Sequence, residues 1–208
     1  MNRFIQCLFA LLILGYSCTA QEPTAEKSYP ETIAEHRAEK NVEFKDKEQS
    51  PLTKQDRRKF KALEYFALSE DLKVEAKFIR TEGEDPFKMK TSTDRLPEYV
   101  KYGEAHFTLG EYTFVLNVYQ NIAVSKKPGM ENYLFIPFTD LTSGESTYGG
   151  GRYLDATIPD GETITLDFNL AYNPYCAYND GYSCPIPPPE NFIKFAIEAG
   201  EKSYGEHH

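Results

Sequence analysis

The stretch from Tyr133 to Tyr204 constrains this chain most. Short apolar segments are separated there by crowds of Tyr, Asn, Asp, Gly and Pro. The stretch also holds two of the four cysteines, a Gly149-Gly150-Gly151-Arg152 turn and a proline staircase from Pro185 to Pro189. Proline and glycine at that density punctuate the backbone into short pieces. So many polar and aromatic groups between apolar runs point to residues that line something.

Upstream the period of the apolar residues is two. Leu72, Val74, Ala76 and Phe78 alternate with Lys73, Glu75 and Lys77, the signature of a half-buried strand. Lys101 to Leu109 and Glu111 to Gln120 form a hairpin about Gly110, with Phe107, Leu109, Tyr112, Phe114, Leu116 and Val118 facing inward. Tyr133 to Phe138 reads as a buried strand, with Pro137 placing it near an edge or bulge. Arg152 to Thr157 and Glu162 to Ala171 are further strands. Pro189-Glu190 opens a closing helix whose buried face is Phe192, Ile193, Ala196 and Ile197, with Gly200 ending it.

Two helices precede the strands. The first carries a thin stripe of Ala34, Ala38 and Val42 beside Ile33. The second starts at Thr53, a good N-cap, and packs through Phe60 and Leu63. The expected fold is mainly β (α+β), an antiparallel barrel or roll with two N-terminal helices and one C-terminal helix.

Met1 to Ala20 reads as an export signal, with Arg3 ahead of an apolar run, Leu8 to Leu14, too short to span a bilayer. Leu14-Gly15-Tyr16-Ser17-Cys18 resembles a lipoprotein signal with Cys18 as the lipidation site, although the bulky Tyr16 departs from that pattern. Cleavage before Gln21 would instead give a freely secreted chain. Gln21 to about residue 44 is a tether and the first helix. The chain is then placed in the cell envelope, as a periplasm-facing or outer-membrane-anchored lipoprotein, or secreted. A formal net charge of -9 disfavours phosphate backbones and anionic lipid surfaces as partners. Membrane contact is thus expected only through a lipid on Cys18.

Four sets of residues invite chemistry. Cys176 and Cys184, spaced C-x7-C, are most simply a disulfide in an oxidising compartment, with free thiols or redox work as alternatives. Gly150 and Gly151 let a ligand approach the backbone, and Arg152 adds a planar fork suited to carboxylate or phosphate. The alternative there is a tight turn with Arg152 paired to a nearby acid, Asp155 being the nearest. The acids and amides Asp140, Glu145, Asp155, Asp167, Asn169 and Asn173 form a third set. On a strand to Ala171, Asp167 and Asn169 would share one polar face. Tyr148, Tyr153, Tyr172, Tyr175, Tyr178 and Tyr182 have apolar faces and polar tips, which suit a ligand wall or a small β core. No metal site or cofactor is expected. Nucleophile-elbow, zinc-protease and dinucleotide-binding patterns are all missing from the sequence.

Three blocks, FIPFTDLTSGESTYGGGRYLD, DFNLAYNPYCAYNDGYSCPIPPPEN and AIEAGEKSY, resemble in order and spacing the bacterial domain-of-unknown-function family DUF1684. MKTSTDR and YGEAHFTLG upstream fit it too, so the resemblance spans about residues 45–204. It implies a shared fold and names no substrate. The expectation is therefore an exported β-rich domain that binds a small polar or anionic ligand through Arg152, Tyr153, Asp155, Asp167, Asn169, Tyr172, Asn173, Gly150 and Gly151. A hydrolase using Asp155, Asp167 or Glu145, and a structural envelope protein without a small ligand, are the alternatives.

Overall fold

A computed structural model describes residues 27–205; the export signal, Cys18 and most of the tether lie outside the described residues. Helix α1 spans Tyr29–Lys45 and α2 spans Lys54–Lys59. Eight strands follow: β1 Lys73–Arg80, β2 Phe87–Lys88, β3 Glu98–Leu109, β4 Tyr112–Asn121, β5 Tyr133–Asp140, β6 Arg152–Thr157, β7 Thr163–Asp167 and β8 Phe192–Ile193. They form one sheet in the order β6-β5-β4-β3-β1-β7, with β2 added to β3 and β8 to β5. The sheet is antiparallel except where β8 runs parallel to β5, and it curls into a half-barrel.

The alternation in β1 positions its side chains as expected: Ala76 and Phe78 are buried and the lysines between are not. β3 and β4 pair from Tyr99↔Asn121 to Leu109↔Tyr112, which leaves a two-residue loop. Gly110 takes φ +58 there, a conformation open to glycine at no steric cost. The concave face buries Ala105, Phe107, Leu116, Val118, Leu134, Ile136, Phe138, Leu154, Leu166 and Phe168 in one core. Each of the large ones contributes about 1.5–3 kcal/mol on burial. Tyr112, at the hairpin tip, is exposed rather than inward. The opposite face of β3 to β6 carries a second cluster of Met89, Tyr99, Tyr119, Phe135 and Tyr153.

Three local departures from the sequence pattern shape the site. First, the expected C-terminal helix is a single 3-10 turn, Pro189–Asn191, followed by extended chain. Ile193, Ile197 and Ala199 are buried while Phe192, Lys194 and Glu198 are exposed, so the working period is two. Second, the strand expected from Glu162 to Ala171 runs only Thr163–Asp167, where the Asp167 carboxylate accepts the Asn169 N–H at 3.1 Å and starts a 3-10 turn, Phe168–Leu170. Phe168 and Asn169 are consequently both buried. Third, α1 does not bury its Ala34, Ala38 and Val42 stripe, and Val42 is 69% exposed. The face turned to the body has Ile33 and Phe44 at its ends, with Arg37 and Asn41 between, and Asn41 Oδ1 accepts the Leu63 N–H at 2.7 Å.

Pro137 has β6 on one side, yet β5 meets β4 only through Tyr119↔Phe135. Proline has no N–H for a ladder. Buried Asn191 fills the opening. Its Oδ1 accepts from Asn117 N at 2.9 Å, and its Nδ2 donates to Asn117 O at 2.9 Å and Pro137 O at 2.8 Å.

Candidate functional site

Arg152 begins β6 opposite Phe138. Along a strand, residues an odd number apart face opposite ways. Arg152 and Leu154 point into the core, whereas Tyr153 and Asp155 point to the outer face, so Asp155 is not the partner of Arg152. The partner is Asp140 at the end of β5. Arg152 Nη2 donates to Asp140 Oδ2 at 2.9 Å, and both side chains are fully buried. Nη2 also donates to Ile197 O at 2.8 Å, and Nη1 donates to Ala199 O and Glu201 O. The fork thus caps alternate carbonyls of the extended C-terminal segment, as a neighbouring strand would. Asp140 is equally engaged: its Oδ1 accepts from Thr142 N, Thr142 Oγ1 and Ile197 N. Burial pulls the Arg152 guanidinium below its ordinary pKa and Asp140 opposes that pull.

The preceding glycines serve the same packing. Gly151 has φ +86, and a Cβ there would meet Phe138 O at 2.5 Å and Pro187. Gly150 packs against the Tyr148 ring.

Asp167 and Asn169 form a wall, but α1 covers it. Tyr29 OH donates to the Asp167 carboxylate at 2.9 Å and accepts from Asn169 Nδ2 at 3.0 Å. Asn169 also bonds both Ser69 N and Ser69 O. Asn173 is buried elsewhere, with its N–H donating to Glu201 Oε2 at 2.8 Å. Tyr178 OH donates to the same oxygen. Burial raises the Glu201 carboxyl above the ordinary carboxylate value, with Lys40 and Arg152 among the groups opposing. Close by, Arg37 lies over the Tyr65 ring at 4.6 Å, and Tyr65 OH, Asn173 Oδ1 and Ser203 Oγ are buried without a partner among the described residues.

On the outer face Tyr133 OH and Tyr172 OH both donate to Asp155 Oδ1 at 2.7 Å. Burial, reinforced by the Asp155 charge, holds both phenols protonated far above their ordinary range. Asp155 itself is exposed. Tyr153 is buried beside it and donates to Pro185 O. Cys176 and Cys184 are free thiols in contact, with Cys176 N donating to Cys184 Sγ at 3.2 Å.

The nine ligand candidates therefore fall into separate groups: Arg152 in the core, Gly150 and Gly151 in the turn that leads to it, Asp167 with Asn169 under α1, Asn173 at Glu201, and Tyr153, Asp155 and Tyr172 on the outer face. Asp155, Asp167 and Glu145 share no hydrogen-bond partner among the described residues. Two open surface grooves, of about 630 and 680 Å³, include none of these groups. Asn191, Glu201 and Tyr29 were not singled out from sequence. Only Glu201 had a signal, as the one acid in an Ala-Gly-Glu-Lys segment otherwise read as a helix end.

Residues 58–202 match the family described as Protein of unknown function (DUF1684). The fold is similar to the solution structure of an uncharacterized protein from gene locus rrnAC0354 of Haloarcula marismortui. The two are 36% identical with a TM-score of 0.67, over 86% of this chain and 96% of that one. No curated protein matches the chain.

Proposed function

Since the chain belongs to the DUF1684 family, whose description carries no activity, we propose that it is an exported or envelope-tethered structural protein whose polar motif serves its own fold. The observation that carries this reading is Arg152, whose amino groups are committed to Asp140 and three main-chain carbonyls at zero exposure. Only the Nε of Arg152 is buried without a partner among the described residues, and displacing the partners of its two amino groups to seat an anion would leave Asp140 buried and unpaired. The Asp167 and Asn169 wall is likewise engaged by Tyr29. The export half rests on the segment Met1 to Ala20.

A second reading has its own observation. Asp155 presents an exposed carboxylate between two tyrosine hydroxyls that converge on one of its oxygens, and its other oxygen accepts nothing from the described residues. That group suits a small cation or amine rather than an anion. Thermal melts with panels of small anions and small amines separate the two. The structural reading expects no anion and no amine to raise the melting temperature. An amine shift lost in Asp155→Asn would favour the second reading, and an anion shift lost in Arg152→Lys would overturn the first. For export, the mass of the protein purified from its native source is expected to show a lipid on Cys18 or a start at Gln21; retention of Met1 would overturn it.

A further inference from the structure

The two cysteines are held unequally. Cys184 is buried and tied to a neighbouring segment, with Ser92 N donating to Cys184 O at 2.9 Å and Cys184 N donating to Ser92 Oγ at 3.1 Å. Cys176 lies on the surface 3-10 turn Tyr175–Ala177 and is half-buried. Its N–H donates to Cys184 Sγ at 3.2 Å, and its own sulfur lies 3.7 Å from Tyr148 OH. A partly buried cysteine thus has a buried one beside it and a phenol alongside.

We propose that Cys176 and Cys184 are a thiol–disulfide exchange couple, with Cys176 attacking a low-molecular-weight disulfide and Cys184 resolving the adduct. In the first step the Cys176 thiolate forms a bond to one sulfur of the small disulfide. The sulfur–sulfur bond of the reagent breaks, and its other half leaves as a thiolate that takes up a proton. In the second step Cys184, having lost its proton to solvent, attacks Cys176 Sγ and expels the second half. The protein dithiol is oxidised to a disulfide, and the small disulfide is reduced to two thiols. No metal or other cofactor enters the balance.

The electrostatics agree with this order. The Cys184 thiol, donating to Cys176, is the largest cause lowering the Cys176 pKa to about 6; burial opposes it and Tyr148 adds to it. Cys184 is pushed up by the adjacent Cys176 sulfur and by burial. The nucleophile in exchange is the thiolate, so the less buried, more acidic cysteine attacks first. The couple is independent of whether Asp155 binds a ligand.

The test uses the whole chain, reduced and then exposed to oxidised glutathione. Wild type is expected to close an internal disulfide, and excess reduced glutathione is expected to reopen it. Cys184→Ser should stop at one glutathione adduct on Cys176, while Cys176→Ser should react about tenfold more slowly or less. Tyr148→Phe should move the pH profile of Cys176 alkylation upward, which a merely structural tyrosine would not do. Should the serine variants fail to fold, alkylation of the reduced wild type, mapped by peptide mass, still decides: Cys176 is expected to label before Cys184. Equal labelling, or a wild-type disulfide that reduced glutathione cannot open, would overturn the proposal, the latter making the bond a structural staple.

Discussion

Glu201 shows how a side chain becomes part of the fold and ceases to be available for chemistry. Its carboxyl accepts from Asn173 N and Tyr178 OH in a nearly water-free setting, and burial raises its pKa. A raised acid binds its proton more tightly when folded. Its contribution to stability is therefore complete below the ordinary value of 4.5 and is lost as pH rises through the raised one. Glu201→Gln keeps an oxygen for both donors and carries no charge. Urea unfolding from pH 4 to pH 8 is expected to show wild type losing stability relative to the variant as pH rises. A gap of constant size, with the variant always weaker, would mean that Glu201 is needed as a carboxylate. Arg152 and Asp140 are the contrasting case: both are fully buried, and each is tied to the other and to further hydrogen-bond partners.

Among the elements, the C-terminal segment has the most ambiguous residue pattern. Phe192, Ile193, Ala196 and Ile197 fit a helical face, while Ile193, Phe195, Ile197 and Ala199 fit a strand. Local pattern permits both. The extended form prevails because Arg152, 45 residues away from Ile197, supplies the donors that its carbonyls need. Strands β1, β3 and β4 were legible because their alternation is long and their hairpin turn is local. The Asn191 bridge was not legible: an asparagine after three prolines reads as loop chemistry, and only the β4–β5 gap gives it a partner. Asn191→Ala leaves the Asn117 N–H and the Asn117 and Pro137 carbonyls without those bonds. A loss on the order of 3 kcal/mol is expected by chemical denaturation, since each stranded buried group costs about 1–3 kcal/mol. Faster amide exchange should centre on Asn117. A change under about 0.5 kcal/mol, the size of an ordinary surface substitution, would show that the bridge is dispensable.

For the molecule as a whole, the polar stretch was correctly recognisable as special and its grouping was not. Arg152, Asp155, Asp167 and Asn173 are close in sequence, yet the half-barrel sends them to its core, outer face and helix-covered side. Strand parity separates Arg152 from Asp155, and the turn at Asp167 separates Asp167 from Asn173, whereas α1 arrives from far upstream to cover the Asp167 wall. What unites the stretch is closure of the fold: Asp140, Arg152 and Glu201 tie β5, β6 and the C-terminal segment into one unit. The most direct test of that claim is equilibrium unfolding of Arg152→Lys beside wild type, with no ligand present. A lysine is a point charge and cannot span Asp140 and three carbonyls in one plane. A loss of about 3–5 kcal/mol is expected, the usual cost of breaking a buried pair. Unchanged stability in the variant would contradict it, and would return Arg152 to the role of a residue held ready for a ligand.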